Sequence, residues 1–517
     1  MLELSARSRT PVYRLVVHQI HAESYWTKGW APPGRSMVIC SAVGYGETTH
    51  AIQIGDSIRV SGGSITPHSW SVSVGGFAIE LCGVIGLFFD RCSRGAICSL
   101  EMGFVGWAED QFERIALGRY QHTESSGLGR AVRHSATFWG VGALLQTRIA
   151  ETYTKTALFA TLEDTTDLSS TYNGTAGTLD VSSSGALQRE TGGTGVVEIH
   201  PSSGSSSYYV KWTNVSTNTL TISPSSELFS TARSVAAAGS IVDNVAYLSG
   251  HPLDIMLKIL ISGNGSASVY NKYPSEWGYR LPVELVAISD ILLWRAGLTS
   301  SSGYDWEYLV TDPQDNGWTW LTGLLAVDGI WPVFRQGQIS ARYAQNIWSM
   351  RTPPALQITE SQQMGEYRLI DWDPEHSVEY GQLNIRNKTA HTVGAAVDLT
   401  KQLDPALESM PLARSADIDL TDRIYDNSVG DGVRPIVADR LSNWAFRICE
   451  RLILTTGLSS AQLCPGDVVL VTLPSIQGRI QETRYGYQDQ PCMVASIDVD
   501  YTAGTCSLEL LTHSEAT

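Results

Sequence analysis

The chain has 517 residues, 43% of them hydrophobic and 17% charged, with 47 glycines and 20 prolines; that is chain enough for about three or four domains, and a composition neither disordered nor collagen-like. A net charge of -16, with seven lysines against 29 arginines, excludes a surface built to neutralise nucleic-acid phosphates. The longest apolar stretch, Phe77 to Phe89, is interrupted by Glu80 and falls far short of the roughly 20 residues of a spanning helix, so no membrane-spanning segment is expected.

The opening MLELSARSRTPVY lacks the pattern of a secretory signal, and folding in a cytoplasm is the expectation. From Val12 to about Gly106, short apolar runs bounded by glycine or serine read as antiparallel strands. In Ser69 to Leu81, alternation puts Trp70, Val72 and Val74 on one face; Gly75-Gly76 then permits a bend before Phe77, Ile79 and Leu81 resume it. A small barrel leaves few unpaired edges, and a sandwich fits the pattern nearly as well.

Ser135 to Gly250 is rich in Ser, Thr and Gly and reads as an inserted all-β module, with Ser202 to Ser207 as a hairpin loop between two strands. At Pro252 the period changes. Leu253, Met256, Leu257 and Leu260 predict a helix with Asp254 and Lys258 as an i,i+4 pair, stopped at Gly263-Asn264-Gly265. Pro282, with Glu284 in the first turn, starts a second helix whose sequence VELVAISDILLWRAGL is apolar almost all round, so cover on most sides is expected. A third follows Asp315-Asn316-Gly317, with Leu321, Leu324 and Leu325 on one side and Gly329 at its end; VFRQGQIS then reads as a hairpin.

From about Glu360 strands return, interrupted by an amphipathic helix starting near Pro435 that carries Val437, Leu441, Trp444, Ile448 and Leu452. The turn Cys464-Pro465-Gly466-Asp467 precedes the strand VVLVTL, and PCMVASIDVDY and TCSLELLTH form a final hairpin around Ala503-Gly504. The fold class is mainly β with a helical middle part (α+β). The eight cysteines form no C-x-x-C pair and read as free, mostly buried thiols.

No chemical motif assembles. None of the seven lysines follows glycine as a phosphate loop requires, and Gly140-Val141-Gly142 and Gly44-Tyr45-Gly46 lack the third glycine of a dinucleotide fingerprint. No serine stands in a nucleophile elbow. His18 and His21, three residues apart, face opposite sides of a strand. Asp417, Asp419 and Asp422 lack a calcium loop's glycine and terminal glutamate. Pro374 makes a turn of Asp371, Asp373 and Glu375, against a glycosidase carboxylate pair. Trp318 with Trp320, or Tyr208 with Tyr209, would suit sugar stacking but read as core or subunit-contact aromatics. Catalytic, cofactor-binding and metal residues are each expected to be none, and the protein not to be an enzyme.

Several segments resemble the tail hub, or baseplate hub, minor tail proteins of long-tailed bacteriophages. The stretch with Ile65, Pro67 and Trp70 looks like the first tail-tube-like barrel of such hubs, and FERIALGRY like their strand return. Pro252, Leu253, Asp254, Trp277, Gly278, Tyr279 and Pro282 carry the most specific signal, and LCPGDVVLVTLP with the final hairpin looks like the second barrel. The resemblance implies tube-like β-barrel domains at 1–134 and 360–517, the second with one amphipathic helix, a β-rich insert at 135–250 and a helix-rich domain at 251–359. It implies a structural homotrimer at the virion tail tip, assembled in the host cytoplasm, which joins the sixfold tail tube to a threefold tip. Its partners would be distal tail or tail tube, tape measure and tail tip or fibre proteins, with viral DNA passing through during ejection without specific binding. No catalytic residue is carried over. Few lysines and the acidic balance suit a ring-building subunit around a channel that DNA slides through. The alternative is a carbohydrate-binding or carbohydrate-cleaving virion tail protein.

Overall fold

In a computed structural model, the described residues are 10–21, 35–42, 52–66, 71–83, 85–92, 94–128, 131–145, 166–184, 187, 195–222, 234–261, 281, 283–298, 306–310, 316–326, 328–345, 347–348, 353–370, 380–386, 399–402, 414–419, 423–424, 444, 449–476 and 486–513. They form a mainly β protein with three helices of ten or eleven residues and one of six.

Strands β1 (Pro11–His21), β2 (Arg35–Cys40), β3 (Ile52–Thr66), β4 (Ser71–Ser73), β5 (Gly76–Gly83), β6 (Ala96–Phe104), β7 (Glu113–Leu128) and β8 (Ala131–Gly140) belong to the first part of the chain; the six-residue helix α1 (Gly86–Arg91) lies between β5 and β6. They pair antiparallel in the order β3-β5-β8-β7-β6-β1-β2, with β4 also on β3. The sheet curls so that β2 comes back against β3. Period-2 patterning explains the curl's dry side: Ile54, Ile58, Phe77, Ile79 and Leu81 all point into the core, as alternation predicts. The bend falls at the expected glycines, since the strand breaks after Ser73 and restarts at Gly76.

The second module holds β9 (Thr166–Asp167), β10 (Thr178–Asp180), β11 (Gly195–His200), β12 (Tyr208–Ser216), β13 (Thr219–Ile222) and β14 (Ile241–Gly250). The order β14-β11-β12-β13 is a Greek key, with β10 beside β13. The sheet curls into a half-barrel. β9 pairs with β14, and the adjacent Leu168 bridges to Val181 just past β10. Trp212, Val197, Ile199, Val210 and Leu220 fill the core. Ser202 to Ser207 is the loop of the β11–β12 hairpin, as read from sequence.

In the helical part, α2 (Pro252–Ile261) starts at the predicted proline and nine of its ten residues are buried. Asp254 does not turn to Lys258; its carboxylate takes Arg295 Nε and Nη2, both at 2.8 Å. Helix α3 (Ile288–Leu298) begins six residues after Pro282, because a 3-10 turn intervenes at Val283–Leu285 and Val286 is drawn into a bridge with Ile339. Its expected cover is partial: Ile291, Trp294 and Leu298 are buried, whereas Leu293 is 60% exposed. After β15 (Trp306–Val310), which extends the second sheet beside β14, α4 (Gly317–Ala326) buries Trp318, Leu321 and Leu325. The hairpin of β16 (Ile330–Arg335) and β17 (Gln338–Tyr343) turns on Gln336-Gly337, with φ of 50° and 75°, a two-residue turn with both central residues left-handed.

Later strands are β18 (Leu356–Thr359), β19 (Arg368–Ile370), β20 (Tyr380–Arg386), β21 (Leu399–Gln402), β22 (Arg414–Asp419), β23 (Arg423–Ile424), β24 (Cys449–Gly457), β25 (Val468–Leu473), β26 (Tyr487–Asp500) and β27 (Thr505–His513). The run β18-β25-β26-β27-β24-β19 is antiparallel except for β18–β25. Its two outer strands are consecutive in the chain, so this sheet too is drawn round. The final hairpin turns at Ala503-Gly504 as expected, with Gly504 at φ +71°. Of the five residues expected on an amphipathic helix starting near Pro435, two are described. Trp444 is buried and its Nε1 donates to Gln345 O. Leu452 instead lies on strand β24 between Leu369 and Leu510, so the helical reading runs too far and the apolar step at Leu452 belongs to the inward face of a strand.

Strands from the two ends meet directly. β26 pairs with β3 through Ser496↔Ser64, Asp498↔Ser61, Val499↔Val60 and Asp500↔Arg59, making one 14-stranded sheet. One apolar cluster runs from Tyr13, Leu15 and Phe77 to Leu452, Val494 and Leu510. Tyr13 Oη donates to Tyr501 O at 3.1 Å across 488 residues of sequence. Burial, then the Asp500 charge, pushes the Tyr13 phenol up to about 12, so it stays a donor near neutrality.

Candidate functional site

Antiparallel register makes the β3–β26 seam a patterned surface. Residues directly opposite one another point to the same face, so one row reads Thr455, Ser507, Asp498, Ser61, Gly76 and Trp139 across six strands. The next row reads Thr505, Asp500, Arg59, Ala78 and Thr137. All of these line a groove of about 540 Å³. Its floor is low because Ser61, Gly76 and Ala78 have short side chains or none. One wall is Trp139, half exposed, and the other carries Asp498, Asp500 and Arg59. Arg59 Nε lies 3.4 Å from Asp500 Oδ2.

Glycine allows the strands to crowd beside this groove. A Cβ on Gly76 would stand 2.4 Å from Phe138 O, and one on Gly140 2.4 Å from Gly75 O, where Gly140 N–H donates at 2.8 Å. The tip of the β16–β17 hairpin wedges in on the other side, with Gly337 against Leu117 N and a void of about 50 Å³ left between tip and seam.

The helical part is locked to the last strands by a buried charge cluster. Arg342 on β17 donates from Nε to Asp467 Oδ1 and from Nη1 to Asp290 Oδ2, each at 2.7 Å, and from Nη2 to Cys464 Sγ at 2.9 Å. Burial alone would lower the guanidinium's pKa, but Cys464, Asp467 and Asp290 raise it, so it stays charged. Burial pushes the Cys464 thiol well up despite Arg342. This cluster holds the fold; both carboxylates and the thiol face Arg342, and Asp290 Oδ1 also takes the half-exposed Arg335 Nη1 at 3.4 Å.

The residues weighed for chemistry do not come together. His18 Nε2 lies 3.1 Å from Ser99 Oγ, while the side chain of His21 is outside the described set. Asp417 and Asp419 lie on β22, a strand beside β20 rather than a loop; Asp422, Asp371, Asp373 and Glu375, like Pro67, Trp70, Trp277, Gly278, Tyr279, Pro282 and Gly44 to Gly46, fall outside the described residues. Trp318 is buried against Phe334 with ring centroids 5.3 Å apart, and Tyr208 is buried with its hydroxyl on Ser234 O, so both are core aromatics. Gly140 and Gly142 serve close packing, the latter against Phe334. Among the described residues no cluster of three or more His, Cys, Asp or Glu is placed to hold a metal, and no helix is long and apolar enough to cross a membrane. Trp139, the one large aromatic wall of the seam groove, was missed: its neighbours across the sheet come from distant sequence.

No protein-family model and no curated protein matches the chain. Among solved structures, it is similar to a tail protein from Neisseria meningitidis, at 10% identity and a TM-score of 0.39, over 89% of this chain and 95% of that one. It is also similar to the 43 kDa tail protein of prophage MuSo2 from Shewanella oneidensis, at 10% identity and a TM-score of 0.38, over 89% and 97%. A prophage tail protein from Listeria monocytogenes aligns at 9% identity and a TM-score of 0.37, over 98% and 96%.

Proposed function

We propose that this chain is a structural subunit of a phage tail, the hub of the tail tip or baseplate, acting as a homotrimer and not as an enzyme. The observation that carries the reading is the β3–β26 pairing, which fuses two curled strand units from opposite ends of the sequence into one sheet around one core. Three such chains present six strand units, the number needed to cap a sixfold tube while facing a threefold tip. Closing the ring gives each chain a neighbour at its sides, which suits a β protein whose edges invite pairing.

The domain reading is part of the proposal: tube-like units at 1–134 and 360–517, an insert at 135–250 and a helical part at 251–359. The first unit runs on to Gly140 because β8 pairs with β5 and β7, and the last one starts at Leu356 because β18 pairs with β25. The -16 charge supports a channel that DNA crosses without adhering. Tail tube, tape measure and tip or fibre proteins are the partners this position calls for, and the virion tail tip is the location. Mass measurement of the purified protein with negative-stain imaging tests it: a threefold ring is expected, and a stable monomer at micromolar concentration overturns it.

A further inference from the structure

The seam groove has the chemistry of a sugar subsite. A pyranose ring presents axial C–H groups on one face and hydroxyls round its rim, so its binding site needs an exposed flat aromatic and, a few ångströms away, polar groups that take hydroxyls. Trp139 supplies the first: half of its surface is exposed, and its own strand neighbour Phe138 is stacked on Phe77 beneath the sheet with centroids 4.3 Å apart, which fixes the backbone that carries it. Asp498, Asp500 and Arg59 supply the second from the far wall, across a floor kept low by Ser61 and Gly76. The volume of about 540 Å³ is ample for one or two pyranose units.

We infer that this groove binds a neutral pyranoside, with the ring on Trp139 and its hydroxyls on Asp498 and the Arg59–Asp500 pair. Charge selects the ligand class. Two carboxylates against one guanidinium leave the far wall net negative, which repels phosphates and acidic sugars and favours hydroxyl donors. Asp500 Oδ1 accepts the backbone N–H groups of Thr502 and Ala503 at 3.0 and 2.8 Å, which fixes that carboxylate, and its Oδ2 lies 3.4 Å from Arg59 Nε. The polar atoms turned to the ligand are then the other guanidinium N–H groups of Arg59 and the Asp498 carboxylate. The site lies within a single chain and does not rest on the trimer: a monomer would carry it equally.

Saturation-transfer NMR on the full chain tests it, with glucose, galactose and N-acetylglucosamine each offered separately at millimolar concentration and glucuronic acid as the acidic comparison. Transfer to the ring C–H protons of at least one neutral sugar is expected, with none to glucuronic acid. Trp139→Ala should abolish the signal, and Asp498→Asn should weaken it severalfold while the circular dichroism spectrum stays unchanged. Because Trp139 and Asp498 are both surface side chains, loss of folding would not be the cause. No transfer from any neutral sugar, or equal transfer in the wild type and in Trp139→Ala, overturns the assignment.

Discussion

Arg342 Nε donates to Asp467 Oδ1 at 2.7 Å, tying the β16–β17 hairpin to the turn before β25 across 125 residues of chain. The guanidinium is 2% exposed and also takes Asp290 from α3, so one buried cation faces two carboxylates drawn from separate elements, with Arg335 reaching Asp290 from the surface at 3.4 Å. Its plane lies over the Trp294 ring, 4.7 Å from the centroid. Three parts of the fold therefore depend on one side chain.

Arg342→Met should cost about 3–5 kcal/mol in denaturant unfolding, the scale for stranding a buried partner charge. Arg342→Lys should fare little better, since an ammonium cannot direct separate N–H groups at Asp467, Asp290 and Cys464. Combining Arg342→Met with Asp290→Asn and Asp467→Asn should recover most of the loss, because no buried charge is then left unpaired and Arg335, which loses Asp290, is 40% exposed to water. A triple variant no more stable than the single one would show that packing, rather than charge, is what Arg342 provides.

Acid should loosen the same joint. Burial pushes the Asp290 carboxyl up, but the Arg342 charge and hydrogen bonds from Ser340 and Arg342 outweigh it and hold the group below its ordinary value. A folded-state pKa below the unfolded one contributes stability that is fully present above the unfolded value, about 3.9, and is lost as pH falls through the folded value. The unfolding midpoint should thus begin to drop as pH falls through the unfolded value, about 3.9, and go on dropping below it, and Asp290→Asn, already less stable at neutrality, should show a shallower drop.

Two glycine turns separate backbone strain from crowding. Gly337 and Gly504 both have left-handed φ, 75° and 71°, but a Cβ on Gly337 meets Leu117 N at 2.6 Å, whereas one on Gly504 meets nothing within 4 Å. Gly504→Ala should cost about 1–2 kcal/mol, the left-handed penalty alone. Gly337→Ala adds an overpacking cost of about 1–3 kcal/mol. Thermal unfolding of both variants reads the difference directly; equal losses would mean the hairpin tip is not wedged into the seam.

These turns also mark what was readable beforehand. Gln336-Gly337 and Ala503-Gly504 announce hairpins because turn chemistry is local, and Phe77, Ile79 and Leu81 announce a buried face because alternation is local. The β3–β26 seam has no such signal: nothing near Ser61 says that Asp498 will lie opposite it, so the Trp139 groove stayed hidden. The start of α3 slipped from Pro282 to Ile288 for a related reason, since the Val286–Ile339 bridge overrides a favourable helix-start residue. Leu293 stays exposed on a helix that patterning alone would cover.

Thiol reactivity offers an independent check on how the sheet is packed. Seven of the eight cysteines are buried, and Cys82, near the end of β5, is the one partly open to solvent. A disulfide-exchange reagent should therefore modify one thiol in the native protein and eight in denaturant. Even that one should react slowly at neutral pH, because burial and the Glu80 carboxylate raise the Cys82 pKa and the thiolate is the nucleophile. Glu80 Oε1 also accepts a hydrogen bond from the Cys82 thiol at 3.6 Å, which favours the protonated form. Glu80→Gln removes the charge, so the Cys82 pKa should fall and labelling at pH 7 should quicken, with Cys82→Ser abolishing the fast phase. Rapid native labelling of several thiols would mean that the apolar cluster joining the two ends opens far more readily than its burial implies.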